Sequence, residues 1–164
     1  MLKIKPFKGT PFKCWCGPYS LKVVFDYYGL NIAEKKLAEL CKTTRLYGTK
    51  VSQLKKTTEK FGFKFKIQDN NSFKDIEKWL KKGVPVIVDW FSRGRNDYPD
   101  SEVADGHYSV AIGLNDKFIY LNDPEIGRIR KIKREDFMIV WFDFPGNVIK
   151  PSKIILRRII AIYK

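Results

Sequence analysis

Residues 16–29 read CGPYSLKVVFDYYG, and this pattern predicts a helix that opens on a thiol. Pro18 suits the first helical turn, where its missing N–H costs nothing. Leu21, Val24, Phe25 and Tyr28 then recur at helical spacing, and Gly29 supplies the stop. A cysteine at that N-terminus feels the positive end of the helix dipole and unpaired backbone N–H groups, which favour thiolate over thiol. The preceding stretch, Pro6 to Trp15, sets Pro, Gly and Thr among Phe7 and Phe12 and reads as an extended lead-in that delivers Cys16 to the helix.

Working outward, a second helix is predicted from Ala33 to Cys41 with Leu37 and Leu40 inward. A third runs from Thr49 to Phe61 on Val51, Leu54 and Phe61, and ends at Gly62. Phe63, Phe65 and Ile67 alternate with lysines and predict a strand. Ser72-Phe73-Lys74-Asp75 has the form of a capping box for a fourth helix, with Ile76, Trp79 and Leu80 on one face and Gly83 past its end. The pattern then turns to strands: Val84 to Val88, a hairpin of His107 to Leu114 and Lys117 to Leu121 about Asn115-Asp116, and Arg128 to Ile132. A short helix from Arg134 to Val140 and a closing strand from Ile154 to Tyr163 complete the chain. Helices first and strands second predict an α+β domain with segregated layers. The expectation is one domain over residues 1–164, helical over about 16–83 and sheet over about 84–164. Phe91 to Gly106 is the longest irregular stretch and reads as a substrate-facing loop or a disordered insertion.

The 164 residues suffice for one full core, and 44% hydrophobic with 15% aromatic residues argues against disorder. No apolar run has the length of a signal peptide or a membrane span, and Arg157 and Arg158 interrupt Ile154 to Tyr163, so the expected location is cytoplasmic. Three cysteines leave an odd thiol under any pairing, which fits a reducing compartment. With 32 Lys and Arg against 18 Asp and Glu the net charge is +14, but the bases are spread from Lys3 to Lys164 without a nucleic-acid signature. They predict a solvated basic surface with nonspecific, salt-sensitive affinity for polyanions, and no specific nucleic-acid partner.

The chemistry-bearing residues are Cys16, the single histidine His107, and Asp123 in an Asp-Pro turn. A thiol, an imidazole and a carboxylate in that order are the parts of a cysteine-peptidase site. Histidine stabilises the thiolate as imidazolium and returns the proton to a leaving amine. Asp105, Asp116 and Asn122 are rivals for the carboxylate's orienting role. Cys14 is a lead-in residue or a redox neighbour of Cys16, whereas Cys41 falls at an apolar helical position and reads as an inert core thiol. Cys14, Cys16 and His107 fall short of a tetrahedral metal set, so no metal and no cofactor is expected. Trp141 reads as core, and Trp90 and Phe91 as cleft lining or a cap on the core.

Six short motifs in order carry a resemblance: Cys16-Gly17-Pro18, Asp26-Tyr27-Tyr28-Gly29, Gly48-Thr49 before Leu54, Gly83-Val84-Pro85-Val86-Ile87, His107-Tyr108-Ser109-Val110 with Gly113, and Asp123-Pro124 with Gly127. Together they resemble the bacteriocin-processing, double-glycine-leader peptidases and their stand-alone relatives, family thirty-nine of the papain-like cysteine peptidases. The resemblance runs from Pro6 to Trp141. It implies Cys16 as nucleophile, His107 as general base and acid, Asp123 as the orienting group, Gly17 and Pro18 as helix-start support, and a helical subdomain packed on an antiparallel sheet. It also implies a peptide or protein substrate cut after glycine or another small residue.

One departure bears on activity. The family usually sets a glutamine several residues before the cysteine to hold the oxyanion, and Thr10 stands at about that position, with the Trp15 indole as a second candidate donor. Losing such a donor costs about 10²–10³ in turnover in a serine peptidase. Two functions therefore follow from the sequence: a thiol peptidase working through a thioester acyl-enzyme or, as the alternative, a catalytically weak or inactive papain-like module that binds a peptide.

Overall fold

The computed structural model describes residues 1–9, 14–45, 47–91, 106–145 and 149–164. In chain order the elements are α1 (Cys16–Tyr27), α2 (Glu34–Leu40), α3 (Val51–Lys60), β1 (Lys64–Gln68), α4 (Phe73–Lys81), β2 (Val86–Phe91), β3 (Gly106–Leu114), β4 (Phe118–Asp123), β5 (Arg128–Lys133), α5 (Arg134–Val140), β6 (Phe142–Asp143), a 3-10 turn (Pro151–Lys153), β7 (Ile155–Leu156) and β8 (Arg158–Tyr163). Six strands form one antiparallel sheet in the order β1-β8-β2-β3-β4-β5, and β6 pairs with β7 beside it.

The apolar run Val84 to Val88 explains the layering. Ile87 points to one core with Leu21, Val24 and Phe25 of α1, Leu37 of α2, Leu54 of α3 and Val110, Ile112, Ile160 and Ile162 of the sheet. Val86, Val88 and Trp90 point to a second core with Phe73 and Ile76 of α4, Phe137 of α5 and Trp141. A strand apolar at both parities requires cover on both faces. The expected α+β domain, with a helical part packed on an antiparallel sheet, is what forms: α1–α3 cover one face of the sheet and α4 and α5 the other. Each large side chain so buried contributes about 1.5–3 kcal/mol.

Differences from the expectation are local. β1, from the helical part of the sequence, joins the sheet edge by pairing with β8, and α5 lies within the sheet part. Leu40 is only half-buried, while Ala38 takes the inward position beside Leu37. The expected closing strand from Ile154 to Tyr163 breaks at Arg157, which takes φ +49° and is held on both sides: its Nε donates to Asn71 O (2.7 Å) and its carbonyl accepts from Asn71 Nδ2 (2.9 Å). The capping box forms as the sequence indicates, the Ser72 N–H donating to the Asp75 carboxylate at 2.8 Å. Among the described residues, no helix is long and apolar enough to cross a membrane.

Candidate active site

α1 begins at Cys16, with Trp15 at its N-cap (φ −101°, ψ 16°). The first turn is pressed onto the segment before α3: a Cβ on Gly17 would lie 2.8 Å from Thr49 Cβ, and Thr49 is itself hydrogen-bonded to Thr43 (Oγ1 to Oγ1, 2.7 Å). Only glycine permits that approach. One turn on, the buried Ser20 hydroxyl donates to Tyr108 O (3.1 Å), which ties the helix to β3 beside His107.

His107 is the second residue of β3, opposite Trp90 of β2. The indole stands edge to face with the imidazole, ring centroids 5.7 Å apart, and is fixed by donating from Nε1 to Ser109 Oγ (3.1 Å). His107 Nε2 lies 3.0 Å from Asp123 Oδ1, and the imidazole also hydrogen-bonds the Cys16 side chain. With Nε2 turned to Asp123, the ring nitrogen left for Cys16 is Nδ1. Burial by itself would depress the imidazole's pKa. The Asp123 charge and hydrogen bond, aided by Cys16, outweigh it and hold His107 well above its ordinary 6.5.

Asp123 ends β4 and is fully buried. It accepts from the Glu125 backbone N–H at Oδ1 (3.1 Å) and from Arg130 Nε at Oδ2 (2.7 Å). Burial opposes its charge, but His107 and Arg130 bring its pKa down to about 2. The turn after it closes by Gly127 N–H to Asp123 O (2.9 Å), with Gly127 at φ +67°, and the lead-in crosses it by Gly9 N–H to Pro124 O (2.9 Å). The structure thus brings Cys16, His107 and Asp123 together from α1, β3 and β4.

The rivals for the orienting role part from it. Asn122 directs its amide to Lys5 O (3.0 Å), and Asp116 is exposed in the β3–β4 turn. Asp105 and Thr10 lie outside the described residues. The Trp15 ring packs against Tyr19, centroids 5.9 Å apart. Cys41 is buried, donates to Thr57 Oγ1 (3.5 Å), and burial pushes its thiol up to about 11. Cys14 is half-buried; burial first, and then the neighbouring Cys16, raise its thiol above 9.0. Among the described residues, no group of three or more His, Cys, Asp and Glu could hold a metal ion.

Three contributors escaped the sequence reading. Arg130 was legible in principle: it shares the parity of Ile132 on β5, and both are buried. Glu125 places Oε2 3.4 Å from His107 Nδ1, which depends on the path of a turn. Asp89, on the α1 face of β2, is buried and hydrogen-bonded to Asp143. Burial, and next the Asp143 charge, hold its carboxyl well above the ordinary 3.8. Asp143 closes over Gly106, where a Cβ would meet both its carboxylate oxygens at 2.5 Å.

The chain is similar to known proteins. An uncharacterised protein of Methanothermobacter thermautotrophicus is 32% identical over 138 residues, covering 82% of this chain and 79% of that one. The Lactococcin-G-processing and transport ATP-binding protein LagD of Lactococcus lactis is 30% identical over 142 residues, which is 84% of this chain and 18% of LagD. The chain thus spans less than a fifth of that transporter and about four-fifths of the archaeal protein. Among solved structures, the peptidase domain of Streptococcus ComA superposes with a TM-score of 0.72 at 20% identity, covering 98% of each chain. A C39-like peptidase from Bacillus anthracis gives 0.70 at 18% identity, covering 99% and 96%. These two likenesses show that the fold is that of the papain-like C39 peptidase domains. The model of one family, described as the Peptidase C39 family, matches residues 15–145, and the chain belongs to that family.

Proposed function

We propose that the protein is a cysteine peptidase in which Cys16 attacks a peptide carbonyl, His107 moves the proton and Asp123 holds the imidazole. The observation that carries this reading is the series Arg130–Asp123–His107–Cys16, in which each group contacts the next, the first three are buried, and the half-buried thiol stands at a helix start. The Cys16 sulfur bonds to the carbonyl carbon, and the tetrahedral oxyanion is met by the Cys16 backbone N–H together with Thr10 or Trp15. Collapse breaks the C–N bond, with the His107 proton passing to the leaving amine, and a thioester remains. His107, now neutral, takes a proton from water, whose oxygen attacks the thioester; the acid product leaves and the thiolate–imidazolium pair is restored.

Its substrate is a peptide cut after glycine or another small residue. That choice is supported by family membership and by the fold shared with a double glycine motif protease solved in complex with the leader peptide, TM-score 0.65 at 20% identity. Incubation with a peptide library containing Gly-Gly sites, read by mass spectrometry, tests it. Cleavage that disappears in Cys16→Ala supports the proposal. Binding of peptides without cleavage of any of them overturns it in favour of a peptide-binding module.

A further inference from the structure

We propose that Glu125 is a positioning residue that holds His107 in its imidazolium form and sets the alkaline limit of the reactive pair. The inference rests on the peptidase reading above. His107 meets a carboxylate at each ring nitrogen: Asp123 Oδ1 at 3.0 Å from Nε2 and Glu125 Oε2 at 3.4 Å from Nδ1. The two carboxylates are not equivalent. The Arg130 guanidinium, 2.7 Å from Asp123 Oδ2, offsets part of the pull of Asp123 on the ring. The Glu125 side chain is 21% exposed, and its oxygen shares the nitrogen that must exchange a proton with Cys16.

A negative charge at that nitrogen makes the ring proton harder to remove, so the imidazolium persists to higher pH. The same charge repels a thiolate at Cys16, which raises the pH at which the ion pair first forms. Glu125 therefore moves the whole window of activity upward. Among the described residues, the other charged and titratable groups around the ring are Cys16 from α1, Asp123 and Arg130 from β4 and β5, and Asp143 over Gly106. Asp89 and Tyr108 interact electrostatically with Cys16, Asp143 and Arg158, and Cys14 interacts with Cys16, Arg45 and Glu125 itself. All of these remain in place when Glu125 alone is changed.

Because His107 is the single histidine, one imidazole Cε1–H resonance in an NMR titration reports on it without any substrate. Glu125→Gln removes the charge and keeps the side chain's size. The midpoint is expected to fall by about 1 pH unit or more, since a unit charge 3.4 Å away is worth about one unit even in bulk water. Both limbs of the pH–rate profile of Cys16 alkylation by iodoacetamide should shift the same way. A folded Glu125→Gln protein with an unmoved His107 midpoint overturns the proposal, even if its melting temperature drops, because a merely structural glutamate would change stability alone. Should Glu125→Gln not fold, Glu125→Asp decides, since it keeps the charge but draws it back from Nδ1 by one methylene: its midpoint must also fall, by less, and a folded Glu125→Asp protein with an unmoved midpoint overturns the proposal. A midpoint that moves in a protein that cleaves nothing supports the role of Glu125 at the ring and removes the peptidase reading instead.

Discussion

Arg130 and Asp123 form an ion pair beneath the candidate active site, Nε to Oδ2 at 2.7 Å, with both side chains almost wholly withdrawn from water. The pair lies on adjacent antiparallel strands, β4 and β5. It makes Asp123 a fixed, charged acceptor for His107, so the imidazole keeps one orientation whether or not it carries the second proton. Removing one partner of a buried pair leaves the other uncompensated, which typically costs about 3–5 kcal/mol.

Arg130→Gln is therefore expected to destabilise the fold by about 3 kcal/mol in urea unfolding. It should also raise the His107 midpoint, since a cation that opposes imidazolium has gone. That direction is opposite to the one expected for Glu125→Gln. A midpoint that falls in Arg130→Gln would show that the guanidinium orders Asp123 more than it offsets its charge.

Stability should depend on pH from both ends. Asp123 has its folded pKa lowered to about 2, against about 3.9 in an unfolded chain. Its contribution is present above pH ~4 and is lost as pH falls toward 2. His107 has its folded pKa raised above its ordinary value. Its contribution is complete below about 6.5 and is lost as pH rises through the folded value. The unfolding free energy of the parent minus that of His107→Gln should thus be largest between about pH 4 and 6.5 and shrink on either side. A difference that is flat across pH would mean that the Asp123–His107 contact is not charged in solution.

The three thiols should separate in reactivity. Cys41 is buried and raised to about 11, and Cys14 is raised by burial and by Cys16. Of the described thiols, Cys16 is the one that hydrogen-bonds the imidazole. Peptide mapping after brief iodoacetamide treatment at mildly acidic pH should find Cys16 labelled first, Cys14 slowly and Cys41 only on unfolding. Equal labelling of Cys14 and Cys16 would remove the ion pair from the mechanism.

What could be read from the sequence was whatever depends on local pattern. α1 showed itself through Pro18, Gly29 and helical spacing, α4 through its capping box, and the β3–β4 hairpin through Asn115-Asp116, whose side chain at Asn115 accepts from the N–H groups of Lys117 (3.0 Å) and Phe118 (2.8 Å). Cys16, His107 and Asp123 were candidates because a thiol at a helix start, the single histidine and a carboxylate in an Asp-Pro turn stood in a meaningful order. Hidden were features set by pairing across the sheet. The side on which α4 and α5 pack follows from the two parities of β2, and the break at Arg157 follows from its bonds to Asn71, 86 positions away in sequence. Glu125 resisted for a further reason, since which atom a turn residue offers to His107 depends on the whole course of residues 123–127.

The oxyanion position gives the most demanding test of the peptidase proposal. An amide donor at that position acts on the tetrahedral transition state and hardly at all on bound substrate, so restoring one should raise kcat and leave KM nearly unchanged. Thr10→Gln is the substitution that does this if Thr10 occupies the position, and loss of such a donor elsewhere costs about 10²–10³. A gain of about tenfold or more in kcat is expected, a part of that factor, since the new amide is added to a site that already turns over. Adding Cys16→Ala to either background should abolish turnover. The comparison requires that Thr10→Gln melt as the parent does, because the lead-in crosses the Asp123 turn through Gly9 and a Cβ on Gly127 would collide with Lys8 Cβ. An unchanged kcat in a folded Thr10→Gln protein that already cleaves well would hand the donor role to Trp15, and Trp15→Phe, which removes the indole N–H and keeps an aromatic ring against Tyr19, should then lower kcat by a comparable factor.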